Sequence, residues 1–368
     1  MNVVQYKCPC CSANLEFQAG SQAFDCKFCD NTFTQEQLAE IYPDKENRDL
    51  AAEEAEPAPQ AKTAEELKQE EMFGEYNALY SCPSCGAAVV TDNTTSATKC
   101  VYCLSPVILT GRLAGEHKPS KLIPFKVTRE AAEEKLREYC KKRFFLPSAF
   151  KKGATLEDMT AIYVPYWICS AKTVGGITAD CKKVRTWTSG NYTHTETKHY
   201  IAVRSGDMRF DQIPANASSK ADDVLMECIE PFRYDATEDF KMSYLSGYIA
   251  EKYDIDKDGV TPRIRERAVK ASENVMRGSI TGYSSVNVTS NSFRMMNDKW
   301  EHYLLPVWFL TYKYNHKGTD KFYHFAVNGQ TGKFAGDLPV VVAKVIGVAL
   351  AACAVTNILI GLPMGFLS

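Results

Sequence analysis

The chain has 368 residues, 45% of them hydrophobic and 24% charged, enough apolar material to bury cores in two or three domains. The net charge of −2 excludes a generally basic nucleic-acid-coating protein. Of 14 cysteines, eight fall into two four-residue groups with metal-ligand spacing, and Met1 to Lys7 holds no apolar leader. Thiolate–metal chemistry in a reducing compartment is therefore expected rather than a disulfide framework.

Residues 1–42 read as a first ribbon, with Cys8-x2-Cys11-x14-Cys26-x2-Cys29 followed by Leu38, Ile41 and Tyr42. Residues 43–77 read as an acidic flexible linker: from Asp44 to Glu75 eleven acidic residues stand against four basic ones, with Pro57 and Pro59 among them. Such a segment buries too little apolar surface to offset its ordering entropy. Residues 78–114 repeat the first spacing as Cys82-x2-Cys85-x14-Cys100-x2-Cys103. Four thiolates on two knuckles suit a closed tetrahedral Zn²⁺ site, so two structural zinc ions are expected. Gly86 follows the knuckle of the second group where a positive φ is favoured; the first group has Ser12 there. Cys10 is a spare thiol inside the first knuckle. A redox or catalytic role for the eight is disfavoured, because a closed shell leaves no open coordination position.

From 119 to 338 the pattern is α+β. Thr128 to Phe144 has helical spacing and is stopped by Pro147. Residues 161–213 are rich in Thr, Tyr, Val and Ile, with turn signals at Val174-Gly175-Gly176, Ser189-Gly190-Asn191 and Ser205-Gly206-Asp207; an antiparallel meander is expected. Residues 221–229, 237–253 and 261–278 read as helices, and 280–338 as strands turning at Asn315–Gly318 and Asn328–Gly332. Tyr163-Val-Pro-Tyr-Trp167-Ile and Leu304-Leu-Pro-Val-Trp308-Phe echo one another, either as a weak internal duplication or as two unrelated buried strands.

After Lys344 no charged residue appears. A helix over 340–362 would measure ~34 Å against a hydrocarbon core of ~30 Å, with Lys344 snorkelling at its start. The expectation is a single-pass transmembrane helix with everything before it cytoplasmic.

Several signals lead elsewhere. Asp254-Ile-Asp256-Lys-Asp258-Gly259 copies half of a calcium loop, but Arg265 stands where a bidentate Glu is needed, so an acidic turn capping a helix from Thr261 is the reading. The histidines read as ordinary surface strand residues. No nucleotide-binding or hydrolase motif occurs, so no catalytic residue is assigned.

The ribbons resemble those of transcription factor IIB and of PriA-like primosomal helicases, which raises nucleic acid as a partner, although neither ribbon carries a basic patch. The whole layout is similar to the bacterial YdjG-type proteins: two ribbons, the Pro-x-Trp region, Phe325-Ala-Val-Asn-Gly-Gln-Thr-Gly332-Lys and an apolar end. That resemblance implies an envelope-stress system with flotillin-like (SPFH) and PspA-type partners. The fold expected is thus α+β: two small zinc ribbons, an antiparallel-sheet α+β body and a C-terminal transmembrane helix. The function expected is a non-enzymatic, membrane-anchored cytoplasmic adaptor. The alternatives are a nucleic-acid-binding protein tethered at the membrane and an enzyme with its site in the body.

Overall fold

The computed structural model describes residues 3–42, 77–82, 84–85, 88–92, 94–100, 105–109, 113, 117–143, 145–146, 159–316, 319–336 and 342–361. The expected linker lies outside them except for Asn77, as does Cys103.

The first ribbon holds β1 (Val3–Val4), then β2 (Leu15–Gln18), β3 (Ala23–Cys26) and β4 (Thr32–Phe33) as a three-stranded sheet, then α1 (Gln35–Ile41). A capping box between Thr34 and Gln37 starts α1 by satisfying backbone donors at its first turn. In the second ribbon β5 (Asn77–Ser81) pairs with β6 (Ala88–Asp92), and β7 (Thr95–Lys99) pairs with β8 (Pro106–Leu109).

The body contributes β9 (Lys121–Leu122), α2 (Arg129–Lys141), β10 (Thr160–Ser189), β11 (Tyr192–Asn216), α3 (Asp223–Cys228), β12 (Glu238–Asp239) and β13 (Ile249–Glu251). It continues with α4 (Lys257–Gly278), β14 (Ser285–Asn291), β15 (Arg294–His316), β16 (Thr319–Asn328) and β17 (Phe334–Gly336), and α5 (Val342–Gly361) follows. One twelve-stranded sheet runs β1-β8-β7-β13-β10-β15-β16-β17, with β11 and β14 also on β10 and the β9–β12 pair on β15. It therefore begins in the ribbons and ends in the body.

β10 changes character along its length. Its first half (Tyr163, Val164, Tyr166, Ile168, Cys169) is buried, as expected of a central strand covered on both faces. One face packs Tyr163 with Phe125, Tyr248 and Trp308; the other packs Val164 and Tyr166 with Ile229, Phe232 and Tyr303. From Lys182 to Ser189 the same strand is exposed, and with β11 it projects as a hairpin.

Four expectations need correction. The protein is mainly β rather than α+β: 237–253 is not a helix but carries β12, a 3₁₀ turn at Met242–Leu245 and β13. Sheet pairing and the burial of Tyr244, Leu245 and Tyr248 outweigh the local helical pattern. The meander over 161–213 is one long hairpin turning only at Gly190-Asn191. Gly175 and Gly206 lie opposite each other inside it. Gly175 permits close backbone approach, since a Cβ there would meet the Phe293 Cα at 2.5 Å.

The transmembrane helix over 340–362, and with it the single-pass membrane placement, is overturned. Among the described residues no helix is long and apolar enough to cross a membrane. Lys344 at the start of α5 does not snorkel; its Nζ donates to the Leu146 carbonyl at 2.8 Å, which ties the helix to the body. Finally, the helix expected from Thr261 starts at Lys257, because Asp256 is its N-cap and accepts from the Gly259 amide at 2.8 Å.

The two Pro-x-Trp segments are hydrogen-bonded neighbours, with Val164 opposite Leu305 and Ala161 opposite Trp308.

Candidate metal centres

The first cage is built by two knuckles of the same backbone design. Cys8 N donates to Ala13 O (2.6 Å) and Ser12 N to Cys8 O (2.8 Å); Cys26 N donates to Asn31 O (2.9 Å) and Asp30 N to Cys26 O (2.9 Å). The tight turn places Ser12 at φ 61° and Asp30 at φ 55°, left-handed positions that the sulfur geometry imposes on non-glycine residues. The four sulfurs lie within 4.8 Å of one another. Cys8–Cys29 is 3.6 Å and Cys11–Cys26 is 3.3 Å, against about 3.8 Å for a tetrahedron with Zn–S bonds of ~2.3 Å. Asn31 Nδ2 donates to Cys29 Sγ at 3.2 Å, a contact that favours thiolate.

The thiols do not ionise independently. Cys29 is held down to about 6 by the Asn31 amide and by the other three thiols, against its partial burial. Cys11 feels the Ala13 amide pulling it down, yet burial and the thiols of Cys26, Cys29 and Cys8 push it up to about 12. Four sulfurs packed this closely form a group able to hold a metal ion.

The second cage brings together Cys82, Cys85 and Cys100 within 4.8 Å, with Cys85–Cys100 at 3.8 Å. Cys100 N donates to Ser105 O at 2.9 Å, the same five-residue step as Cys8 to Ala13 and Cys26 to Asn31. The structure thus brings together seven of the eight expected ligands. Cys10 is exposed and outside the first cage.

Spacing did not show how the cages are joined. β1 pairs with β8, Gln5 Nε2 donates to Pro106 O (3.0 Å), Asn14 Nδ2 to Ser105 Oγ (2.6 Å) and Lys7 Nζ to Ser84 Oγ (3.1 Å). The first ribbon is also seated on the body. Phe17 lies 5.2 Å from the ring of Tyr244, its amide donates to Ser246 O, and Gln22 Nε2 reaches Phe125 O at 2.6 Å. Where both ribbons meet the body a cavity of about 520 Å³ carries Glu16, Lys27, Lys99 and Arg129. Glu16 bridges Lys27 at 2.7 Å and Lys99 at 3.4 Å.

Among the histidines one reading is corrected. His302 is buried, beside Trp167 and Tyr253, and burial with His117 nearby pushes it down to about 3. Its pattern of alternation gave no sign of this, because β15 is covered on both faces.

The architecture is that of a double-ribbon, mainly-β protein in which cysteine cages able to hold metal ions form one end of a large sheet. Over 348 residues, 93% of this chain and 92% of the relative, it is 33% identical to the uncharacterized protein YdjG of Bacillus subtilis (strain 168). The chain belongs to the YdjG family. No family profile and no solved structure matches it.

Proposed function

We propose that this chain is a non-catalytic adaptor in which each ribbon holds one structural Zn²⁺ and the body presents a binding surface to other proteins. The observation that carries this is the projecting β10–β11 hairpin. Its tip exposes Trp187 (43%) and Tyr192 (75%), aromatic residues of the kind that anchor protein interfaces. The zinc cages complement this role: closed thiolate shells stiffen the sheet from which the hairpin projects. The partners to test first are the flotillin-like and PspA-type proteins implied by the family resemblance, within an envelope-stress response.

The nucleic-acid reading has one observation in its favour. Arg185 lies over the Trp187 ring at 5.6 Å, near Lys183 and Lys198, an arrangement that suits stacking on single strands.

The test is binding of the full chain to each purified candidate partner and to single-stranded oligonucleotides over a salt series. Protein binding that falls at least tenfold in Trp187→Ala/Tyr192→Ala supports the adaptor. Affinity for oligonucleotide that drops linearly in log salt, with none for protein, would replace it.

A further inference from the structure

We infer that the outer edge of β11 is a self-association site, and that its occupant is the same edge of a second copy of this chain, paired antiparallel about Thr197. The inference goes beyond the adaptor reading and does not depend on it.

The hairpin closes through two residues, Gly190 and Asn191, with Ser189 opposite Tyr192 and Gly190 at φ 61°. A two-residue loop with glycine first and left-handed is closed by a hydrogen-bonded pair. Even-numbered residues of β11 from Tyr192 therefore bond inward to β10, and odd-numbered ones aim N–H and C=O outward. The opposite edge of the hairpin follows the same phase: Val184 N donates to Ser284 Oγ (2.9 Å) and Lys182 O accepts from Ser284 N (2.7 Å). These two residues lie opposite Thr197 and His199. Among the described residues β11 pairs with β10 alone, so the outward groups of Thr193, Thr195, Thr197, His199 and Ile201 form an open edge. All five residues are exposed, Ile201 by 74%. A long open edge is a template for another strand.

Charge selects the occupant and the register. In an antiparallel pair centred on Thr197, Glu196 lies opposite Lys198 of the second copy, and Lys198 opposite its Glu196, both on one face. Within the chain Lys198 lies directly opposite Lys183, a like-charged pair that weakens the hairpin. The one carboxylate neighbour of Lys198 within the chain, among the described ion pairs, is Glu196 at 3.4 Å, and pairing adds the Glu196 carboxylate of the second copy on its outer side. Centring on Ile201 instead would set Lys198 against Arg204 of the second copy, and centring on His199 would add no contact between copies to the ion pair that Glu196 and Lys198 make within the chain at 3.4 Å. The Thr197 register forms about ten backbone hydrogen bonds between copies and two ion pairs.

Sedimentation of the full chain over a concentration series tests this, with zinc content and far-UV circular dichroism confirming the fold of each variant. A monomer–dimer equilibrium is expected. Glu196→Lys and Lys198→Glu should each weaken it at least tenfold, while an equimolar mixture of the two restores dimer, because each supplies the charge the other needs. Thr197→Pro, which removes an outward N–H on an edge where the fold tolerates proline, should also weaken it at least tenfold. A chain monomeric at all concentrations overturns the inference. So does a dimer indifferent to the three substitutions, or a mixture that stays monomeric.

Discussion

The two ribbons share one ligand spacing but are attached to the body by different forces. The first is held by apolar contact: Phe17 is 3% exposed among Phe24, Tyr244 and Tyr248. The second also buries Ala97 and Ile108 in the same core, and adds strand pairing, hydrogen bonds and charge. β7 pairs with β13, Lys252 N donates to Thr94 O (2.8 Å), and Lys220 Nζ meets Asp92 at 2.7 Å. The ligand spacing defines a cage; the residues between ligands decide how that cage is built into the rest. Because β8 pairs with β1, the second ribbon also stands between the first ribbon's leading strand and the body sheet.

That placement predicts an asymmetry, with the largest effect at the metal ligands, where structural zinc supplies ~10–16 kcal/mol of folding energy in small ribbons. Cys26→Ser should lose one zinc per chain. Cys100→Ser should lose its own and loosen the first, since Cys100 joins β7 to β8 and β8 carries β1. Elemental analysis and thermal unfolding would show it; equal loss of one zinc in both variants would remove the asymmetry.

The apolar attachment is tested next. Phe17→Ala should cost ~3–5 kcal/mol by leaving a cavity between ribbon and body. Phe28→Ala, at a residue 79% exposed, should stay within ~0.5 kcal/mol. Urea unfolding of the two variants compares them directly, and similar losses would mean that the first ribbon is not seated through Phe17.

The smallest effect belongs to the polar attachment. Burial pushes the Asp92 carboxyl up, but Lys220 and the Thr94 and Thr95 donors outweigh it and hold the group well below the usual range. A carboxylate depressed in the folded state stabilises above its unfolded value of ~3.9 and loses that contribution as pH falls below it. Asp92→Asn should cost about 1 kcal/mol at pH 7, modest because the side chain is 43% exposed. The gap from wild type should narrow as pH is lowered from 7 toward 3. A gap that widens in acid would contradict the assignment.

The sequence by itself determined the cages. Two residues separate the ligands of each knuckle and fourteen separate the knuckles, so local backbone turns suffice to bring each knuckle's sulfurs together, and spacing is a local property. It also marked the body's turn at Asn328–Gly332, where Asn328 and Gln330 side chains bond Ile229 O and Arg233 O, and it placed α2 within one residue at its start and three at its end. What it misread depended on distant partners. The 237–253 segment carries a helical pattern, yet its aromatics are buried against the first ribbon some 220 positions earlier. The glycines at 175 and 206 look like turn residues, yet they lie opposite each other within one hairpin, and only the approach of Phe293 to Gly175 and of Met276 to Gly206 shows what their lack of a side chain permits. The apolar end reads as a membrane span until Lys344 is seen bonded to Leu146 O. Tertiary structure alone decided that the ribbons belong to the body's sheet, because strand pairing between residues a hundred or more positions apart is set by complementary faces and backbone hydrogen bonds. Neither leaves a periodic trace in one strand.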